Sequence, residues 1–216
     1  MKNRIPSLVL PAFLMIPGIP LDEWHIGKFD DIPANSVTVS STGMTVTVKE
    51  SAGPIIHAFN RARRISGFRV SGSLSGLPHI QDGQQQGDKD ADDFPLRIGF
   101  VLVGGKHLNA FQRFIAADWV KYLYDAAPAG IGLDRVQFFT LTQRPELVGK
   151  TRVHPDSELI HETFFAAVDK VGPFNHEYRL PAPVEAFAVW IDIDGDDTGS
   201  RYSVTINKLE IEETGS

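Results

Sequence analysis

From residue 36 onward, apolar and polar side chains alternate with a period of two over much of the chain. Val37 and Val39 alternate with Thr38 and Ser40. After a Thr42-Gly43 turn signal, Met44, Val46 and Val48 alternate with Thr45, Thr47 and Lys49. This predicts a half-buried β-hairpin. Residues 55–59 form a short apolar run, and residues 65–74 carry Phe68, Val70 and Leu74 on one parity. Residues 94–103 read as a central strand. Phe94, Leu96, Ile98, Phe100 and Leu102 share one face, and Asp93, Arg97, Gly99, Val101 and Val103 the other. Residues 134–142 return to strand. In residues 185–194, Phe187, Val189, Ile191 and Ile193 alternate with Ala188, Trp190, Asp192 and Asp194. The last strand holds Tyr202, Val204 and Ile206, then Leu209 and Ile211. That change of parity predicts a β-bulge near Asn207-Lys208.

Two stretches break the rhythm. In residues 109–126, Phe111, Phe114, Ile115, Trp119, Tyr122 and Leu123 recur at spacings of three and four, which predicts a helix. Residues 155–170 open on Pro155, suited to a first helical turn, with acidic residues behind it, and predict a second helix. Residues 79–93 are rich in Gln, Gly and Asp and read as an exposed loop. With no βαβ rhythm, the pattern predicts an all-β fold: an antiparallel, jelly-roll-like β-sandwich with helical excursions at about 109–126 and 155–170.

Length and composition narrow the picture. A chain of 216 residues suits one domain. Residues 1–21 are apolar, follow Lys2 and Arg4, and are interrupted by Pro6, Pro11, Pro17 and Pro20. They read either as a degraded signal peptide or as an extended segment packed on the domain formed by residues 22–216. The run is too broken for a transmembrane span. Cysteine is absent, which excludes disulfides, thiolate metal sites and a cysteine nucleophile. With 21 basic against 27 acidic residues, no basic field is available for nucleic acid. The oligomeric state is not readable from the chain.

Acidity concentrates in two segments, and these carry the most specific motifs. One is Gly87-Asp88-Lys89-Asp90-Ala91-Asp92-Asp93-Phe94-Pro95-Leu96-Arg97-Ile98. The other is Val189-Trp190-Ile191-Asp192-Ile193-Asp194-Gly195-Asp196-Asp197-Thr198-Gly199. The first resembles the Asp-Asp-Phe-x-x-Arg strand start, and the second the Asp-x-Asp-x-Thr-Gly segment, of the bacterial family known as domain of unknown function 3047. The resemblance spans roughly residues 24–212. Residues 143–170 depart from it, lacking the family's tryptophan-rich stretch and its Trp-x-x-Glu-x-Arg-like run. It implies a galactose-binding or lectin-like sandwich and a periplasmic or secreted location, and carries over no activity.

The candidate chemistry follows the same segments. Strand alternation puts Asp192 and Asp194 on one face beside Trp190. Arg97 on a neighbouring strand is positioned to meet either carboxylate, as a structural ion pair or as part of a site for sugar hydroxyls. The candidate ligand-binding set is therefore Asp92, Asp93, Arg97, Trp190, Asp192 and Asp194. Asp194, Asp196 and Asp197 offer the hard oxygens that Ca²⁺ takes. The loop is not an EF-hand, however, and ordinary turn chemistry accounts for the same residues more simply. In the segment His154–Glu162, a helix would bring Glu158 near His161 and Glu162, a spacing open to metal ligation or acid–base work, though the order is not that of a zincin. His57, His107 and His176 are isolated and read as packing or surface residues. Arg61, Arg63 and Arg64 read as a solvated hairpin. Trp24, Trp119, Trp190, Tyr122 and Tyr124 are available either as core or as a sugar-stacking platform.

Together these features point to a non-catalytic module binding a carbohydrate or cell-envelope glycan. One alternative is a polysaccharide hydrolase or lyase drawing on Asp92, Asp93, Asp194 or Glu158. Another is a structural or partner-binding envelope protein.

Overall fold

The computed structural model describes residues 12–214 except 30, 117 and 156. Its strands are β1 (Ala12–Ile16), β2 (His25–Ile26), β3 (Ser36–Ser40), β4 (Gly43–Lys49), β5 (Ile55–Leu74), β6 (Leu96–Gly104), β7 (Gly132–Thr142), β8 (Thr151–His154), β9 (Ser157–Ala167), β10 (Gly172–Asp192) and β11 (Arg201–Glu213). Helices α1 (Ala110–Ile115) and α2 (Asp118–Ala126) lie between β6 and β7. All eleven strands join one sheet in the order β3-β4-β11-β5-β10-β6-β7-β9-β8, with β1 paired to β11 and β2 to β5.

The alternation explains how this sheet makes a sandwich-like, all-β fold. The inward parity of each strand feeds one core: Met44, Val46 and Val48 from β4, Val204 and Ile206 from β11, Phe68 and Val70 from β5, Ile98 and Phe100 from β6, and Val189 and Ile191 from β10. Residues from distant strands meet there because the sheet bends around them, with the 20- and 21-residue strands β5 and β10 running through both halves. The opposite parity of the β5–β10–β6–β7 half would be left wet, but α2 covers it. Ile56, Val101, Val136, Phe138, Phe187 and Trp190 form a second cluster with Leu123 of α2, against which Trp119 and Tyr122 pack. Both faces of β6 and of the C-terminal half of β10 are therefore dry, except where the cleft opens.

Several expectations hold in detail. The 36–49 hairpin forms β3 and β4 in register, Ser40 opposite Gly43. The ladder between β11 and β5 shifts between Ile206 and Lys208, where the parity change predicts a bulge. The excursion at 109–126 is helical, in two pieces, α1 opening on a capping box between Asn109 and Gln112. His57 is buried with Nδ1 3.0 Å from the Glu23 carbonyl, and His176 packs between Phe165 and Phe174. Arg61, Arg63 and Arg64, however, are not in a hairpin: they lie within the continuous strand β5, where Arg61 and Arg64 are exposed but Arg63 pairs with Glu213 at 2.5 Å and lies over Phe13.

The predicted helix at 155–170 is not one. Residues 157–167 are strand β9, parallel to β7 and antiparallel to β8, so one pair of this otherwise antiparallel sheet is parallel. Pro155 and the acids behind it are local helix cues worth a few tenths of a kcal/mol each. The open edge of β7 offers a ladder of backbone bonds and buries Glu162 and Phe164, which outweighs them.

The runs at 55–59 and 65–74 are a single strand, β5, whose ladder to β10 is interrupted between them. Residues 172–184, to which the periodicity assigns no element, are the first half of β10. Phe174, His176, Tyr178 and Leu180 lean inward there, and Pro181 and Pro183 sit in the unpaired gap between Arg179 and Val184. A register shift between Ala186 and Ala188 also turns Phe187 away from Val189 and into the outer cluster.

Ala12–Ile16 of the apolar N-terminal segment is strand β1, which lays Met15 and Ile16 into the main core; residues 1–11 lie outside the described residues. No helix among the described residues is long and apolar enough to cross a membrane.

Candidate functional site

The two acidic motifs meet because β6 and β10 are antiparallel neighbours. The start of β6 lies against the end of β10, and Arg97 is paired in register with Asp192. The turn after β10 folds back over residues 92–94. Asp93 holds it there: its Oδ2 accepts hydrogen bonds from Thr198 N, at 2.8 Å, and from the Thr198 hydroxyl, and its Oδ1 accepts from Asp197 N at 3.4 Å. Asp197 Oδ2 in turn accepts from Asp92 N at 3.2 Å. Asp194 Oδ1 accepts from Phe94 N at 2.7 Å, and the Tyr202 hydroxyl donates to the Asp194 carbonyl at 2.7 Å. The acid-rich turn is thus a fixed structure.

A cleft of about 410 Å³ opens at this junction. Asp92, Asp93, Arg97, Asp192, Asp194, Asp196 and Asp197 line its polar side. Trp119, Phe138, Trp190, Phe29 and Ile160 line its apolar side, with His154 and Ser157 at the flank. The eight side chains of the candidate ligand-binding and Ca²⁺ sets border this one cleft, whereas Glu158, His161 and Glu162 do not. The tryptophans lie 5.4 Å apart and tilted, and Phe138 meets Trp190 edge-on at 5.2 Å. Phe138 reaches that position because residue 99 is glycine: a Cβ there would stand 2.6 Å from the Phe138 ring.

Arg97 is the hub. Its side chain is only 4% exposed. Nη1 donates to Asp192 Oδ2 at 2.9 Å and also to Asp194. Nη2 donates to the Asp92 carbonyl at 2.6 Å and to Asp92 Oδ2 at 3.2 Å, and Nε donates to Glu162 Oε1 at 3.2 Å. Burial opposes its charge, but the carboxylates of Asp194, Glu162, Asp92 and Asp192 overcome that and hold it protonated. Arg152 backs the network from β8. It bonds Asp92 Oδ1 at 2.5 Å, the Gly87 carbonyl at 3.0 Å, and Glu162. His154 Nε2 lies 2.9 Å from Asp92 Oδ2. Phe94 lies under both guanidinium groups, 4.6 Å from that of Arg97.

The carboxylates separate electrostatically. Burial pushes Asp92 up, but the hydrogen bond with His154 and the charges of Arg97 and Arg152 prevail and bring it down to about 2. Asp192 is raised to about 6: burial dominates, Arg97 offsets only part of it, and Asp196 adds repulsion. Asp194 is raised by burial and by its neighbours Asp192 and Asp93, against the pull of Arg97. Asp196 is raised to about 6, mainly by burial. One guanidinium shared among several aspartates cannot keep all of them ionised.

Trp190 Nε1 and Asp192 Oδ1 have no hydrogen-bond partner among the described residues, and both atoms are closed off from solvent, so they are not presented to a ligand in the cleft. The surfaces that do face it are the half-buried ring of Trp119 and the carboxylates of Asp194, Asp196 and Asp197.

The other candidates fall elsewhere. Asp194 and Asp197 spend oxygens on Arg97, Phe94 N and Asp92 N, and no group of three acidic or histidine side chains among the described residues is arranged to hold a metal ion. On strand β9, Glu158 is exposed while Glu162 is buried in the arginine network, so the two do not share a site. Trp24 is buried in the main core. Tyr122 stacks on His25 at 3.6 Å beside a neighbouring depression, and Tyr124 packs on the outer cluster.

Arg152 and Phe138 were not nominated from the sequence. An arginine four residues past Val148 carries no local signal; only the pairing of β8 with β9 brings it to Asp92. Phe138 was legible as an apolar strand residue but not as cleft wall. No protein-family model matches the chain, and no curated protein is similar to it.

Proposed function

We propose that this cleft binds carbohydrate and that the protein is a non-catalytic module for a glycan of the cell envelope. One observation carries the reading: the half-buried ring of Trp119, backed by Phe138 and Trp190, lines one cleft with the carboxylates of Asp194, Asp196 and Asp197. A sugar ring suits both sides, with an apolar C–H face for Trp119 and hydroxyls that donate to the carboxylates. The volume of about 410 Å³ suits one or two sugar rings, at the lower end of the 300–1,000 Å³ common for ligand sites. The resemblance of residues 87–98 and 189–199 to an exported family supports a periplasmic or secreted setting, where such glycans lie.

The test is binding to an array of immobilised glycans, with Ca²⁺ and with chelator, comparing the wild type with Trp119→Ala. That variant removes the half-buried ring of the aromatic wall. Retention of a glycan by the wild type, weakened in the variant, is the expected result. No retained glycan in either condition would remove the reading, and dependence on Ca²⁺ would restore a metal role for Asp194, Asp196 and Asp197.

A polysaccharide hydrolase is the second reading, favoured by one observation. Asp92, at about 2, and Asp192, at about 6, both bond Arg97, so one carboxylate is firmly ionised while its neighbour holds a proton much longer. That separation is the pattern of acid and base pairs in glycosidases. Release of reducing ends from a bound glycan, abolished in Asp192→Asn, would establish it over simple binding.

A further inference from the structure

The cleft has a neighbour on the far side of its aromatic wall. Trp119, on the first turn of α2, borders the cleft and also borders a second depression of about 360 Å³. The same two pieces of chain wall both hollows. The segment after β2 gives Phe29 and Ile32 to the cleft and Gly27, Lys28 and Ala34 to the depression. Helix α2 gives Trp119 to both and Tyr122 to the depression. Because Trp119 is half-buried, its ring stands where the two hollows meet.

The depression carries its own sugar-compatible lining. His25 stacks on Tyr122 with ring centroids 3.6 Å apart and planes 11° from parallel, so aromatic surface continues beyond Trp119. Burial lowers the His25 pKa, and a neutral imidazole offers one donor and one acceptor. Lys28, exposed at the rim, adds a further donor. Apolar surface with a few polar groups along it suits a sugar ring in the same way as the cleft does. A lone sugar in so open a hollow would pay its full cost of immobilisation. A unit already tethered to one held in the cleft pays far less, because its binding is intramolecular.

Resting on the carbohydrate reading, we propose that the cleft and the depression are two subsites of one groove, joined at Trp119, and that the ligand is a linear oligosaccharide long enough to occupy both.

The test is calorimetric titration of the full chain with two linear β-1,4-linked series, oligomers of glucose and of N-acetylglucosamine, from dimer to hexamer. In a series that binds, affinity should rise about tenfold or more between the dimer and the hexamer. Two variants remove the second subsite without touching the cleft. Ala34→Trp places a ring in the depression from its exposed rim, and His25→Ala takes away part of its aromatic lining. Each should bring the hexamer down to the affinity of the dimer and leave the dimer unchanged. Thermal melting confirms that both variants are folded. Affinity that is flat from dimer to hexamer, a gain with length that survives both variants, or equal loss for dimer and hexamer overturns the second subsite and leaves the carbohydrate reading standing. If no oligomer of either series binds, the proposal is overturned, and the glycan array decides the carbohydrate reading separately.

Discussion

Arg97 Nη1 on β6 lies 2.9 Å from Asp192 Oδ2 on β10, at a position where the two residues are direct partners in an antiparallel ladder. The ion pair and the strand register therefore enforce one another. A one-residue slip would turn Arg97 toward the apolar core and leave Asp92, Asp192, Asp194 and Glu162 without their cation. Arg97→Ala should destabilise the protein by about 3–5 kcal/mol, the cost of removing one partner of a buried charge cluster. Urea unfolding monitored by circular dichroism measures it. Arg97→Lys should recover only part of the loss, because an ammonium cannot span several carboxylates as a guanidinium does.

The raised carboxylates set a pH dependence of the opposite sense to ordinary acid denaturation. A group whose pKa is higher in the folded state than in the unfolded one favours folding when protonated. Its contribution is complete below the unfolded value of 3.8 and disappears as pH rises through the folded value, about 6 for Asp192 and Asp196. Stability without ligand should therefore fall between pH 4 and pH 7, with Asp192 accounting for about 2–3 kcal/mol. Asp92 works in the other direction: its depressed pKa favours folding above 3.8 and that contribution is lost as pH falls toward 2. Melting temperatures from pH 3 to pH 8 test this. Asp192→Asn should flatten the decline above pH 4, and a decline of wild-type slope in that variant would place the titrating group elsewhere.

Gly99 governs the cleft floor. In Gly99→Ala the new Cβ would stand 2.6 Å from the Phe138 ring, which must then move away from Trp190. Overpacking of this kind costs about 1–3 kcal/mol. A changed tryptophan emission spectrum should accompany it. A stability loss with unchanged emission would mean that the ring adapts without disturbing the cleft.

Met15 tests how far the N-terminal segment belongs to the domain. It is fully buried in the main core, carried there by the pairing of β1 with β11. Met15→Ala should cost about 2–5 kcal/mol by the usual core-truncation scale. A loss below about 0.5 kcal/mol would show that β1 contributes little to the fold in solution.

The juxtaposition of the two acidic motifs was legible in the chain because it depends on simple alternation. Arg97, Asp192 and Asp194 each occupy the parity opposite to a run of apolar residues, so burying those runs turns all three to one side. Phe187 was not legible. The bulge that moves it to the outer cluster changes parity by one residue within an unbroken apolar run, where either face accepts a phenylalanine. Strand β9 was misread because its helix cues are local, whereas the ladder to β7 that overrides them comes from residues about 24 positions away. The first half of β10 was hidden by Pro181 and Pro183, which reside in a strand only because its ladder to β5 is open at that point.

The indole of Trp119 offers the most direct measurement of whether the cleft is a ligand site, because its ring is half-buried on the cleft wall. The chain has three tryptophans and so three indole signals in a ¹H–¹⁵N correlation spectrum, and Trp119→Phe and Trp24→Phe assign them. Trp24 is buried in the main core and serves as the internal control. On titration with a glycan retained by the array, the Trp119 signal should move and saturate while the Trp24 signal stays in place. A Trp119 signal that does not move at saturating glycan, or that moves no more than Trp24, would contradict a carbohydrate site in this cleft.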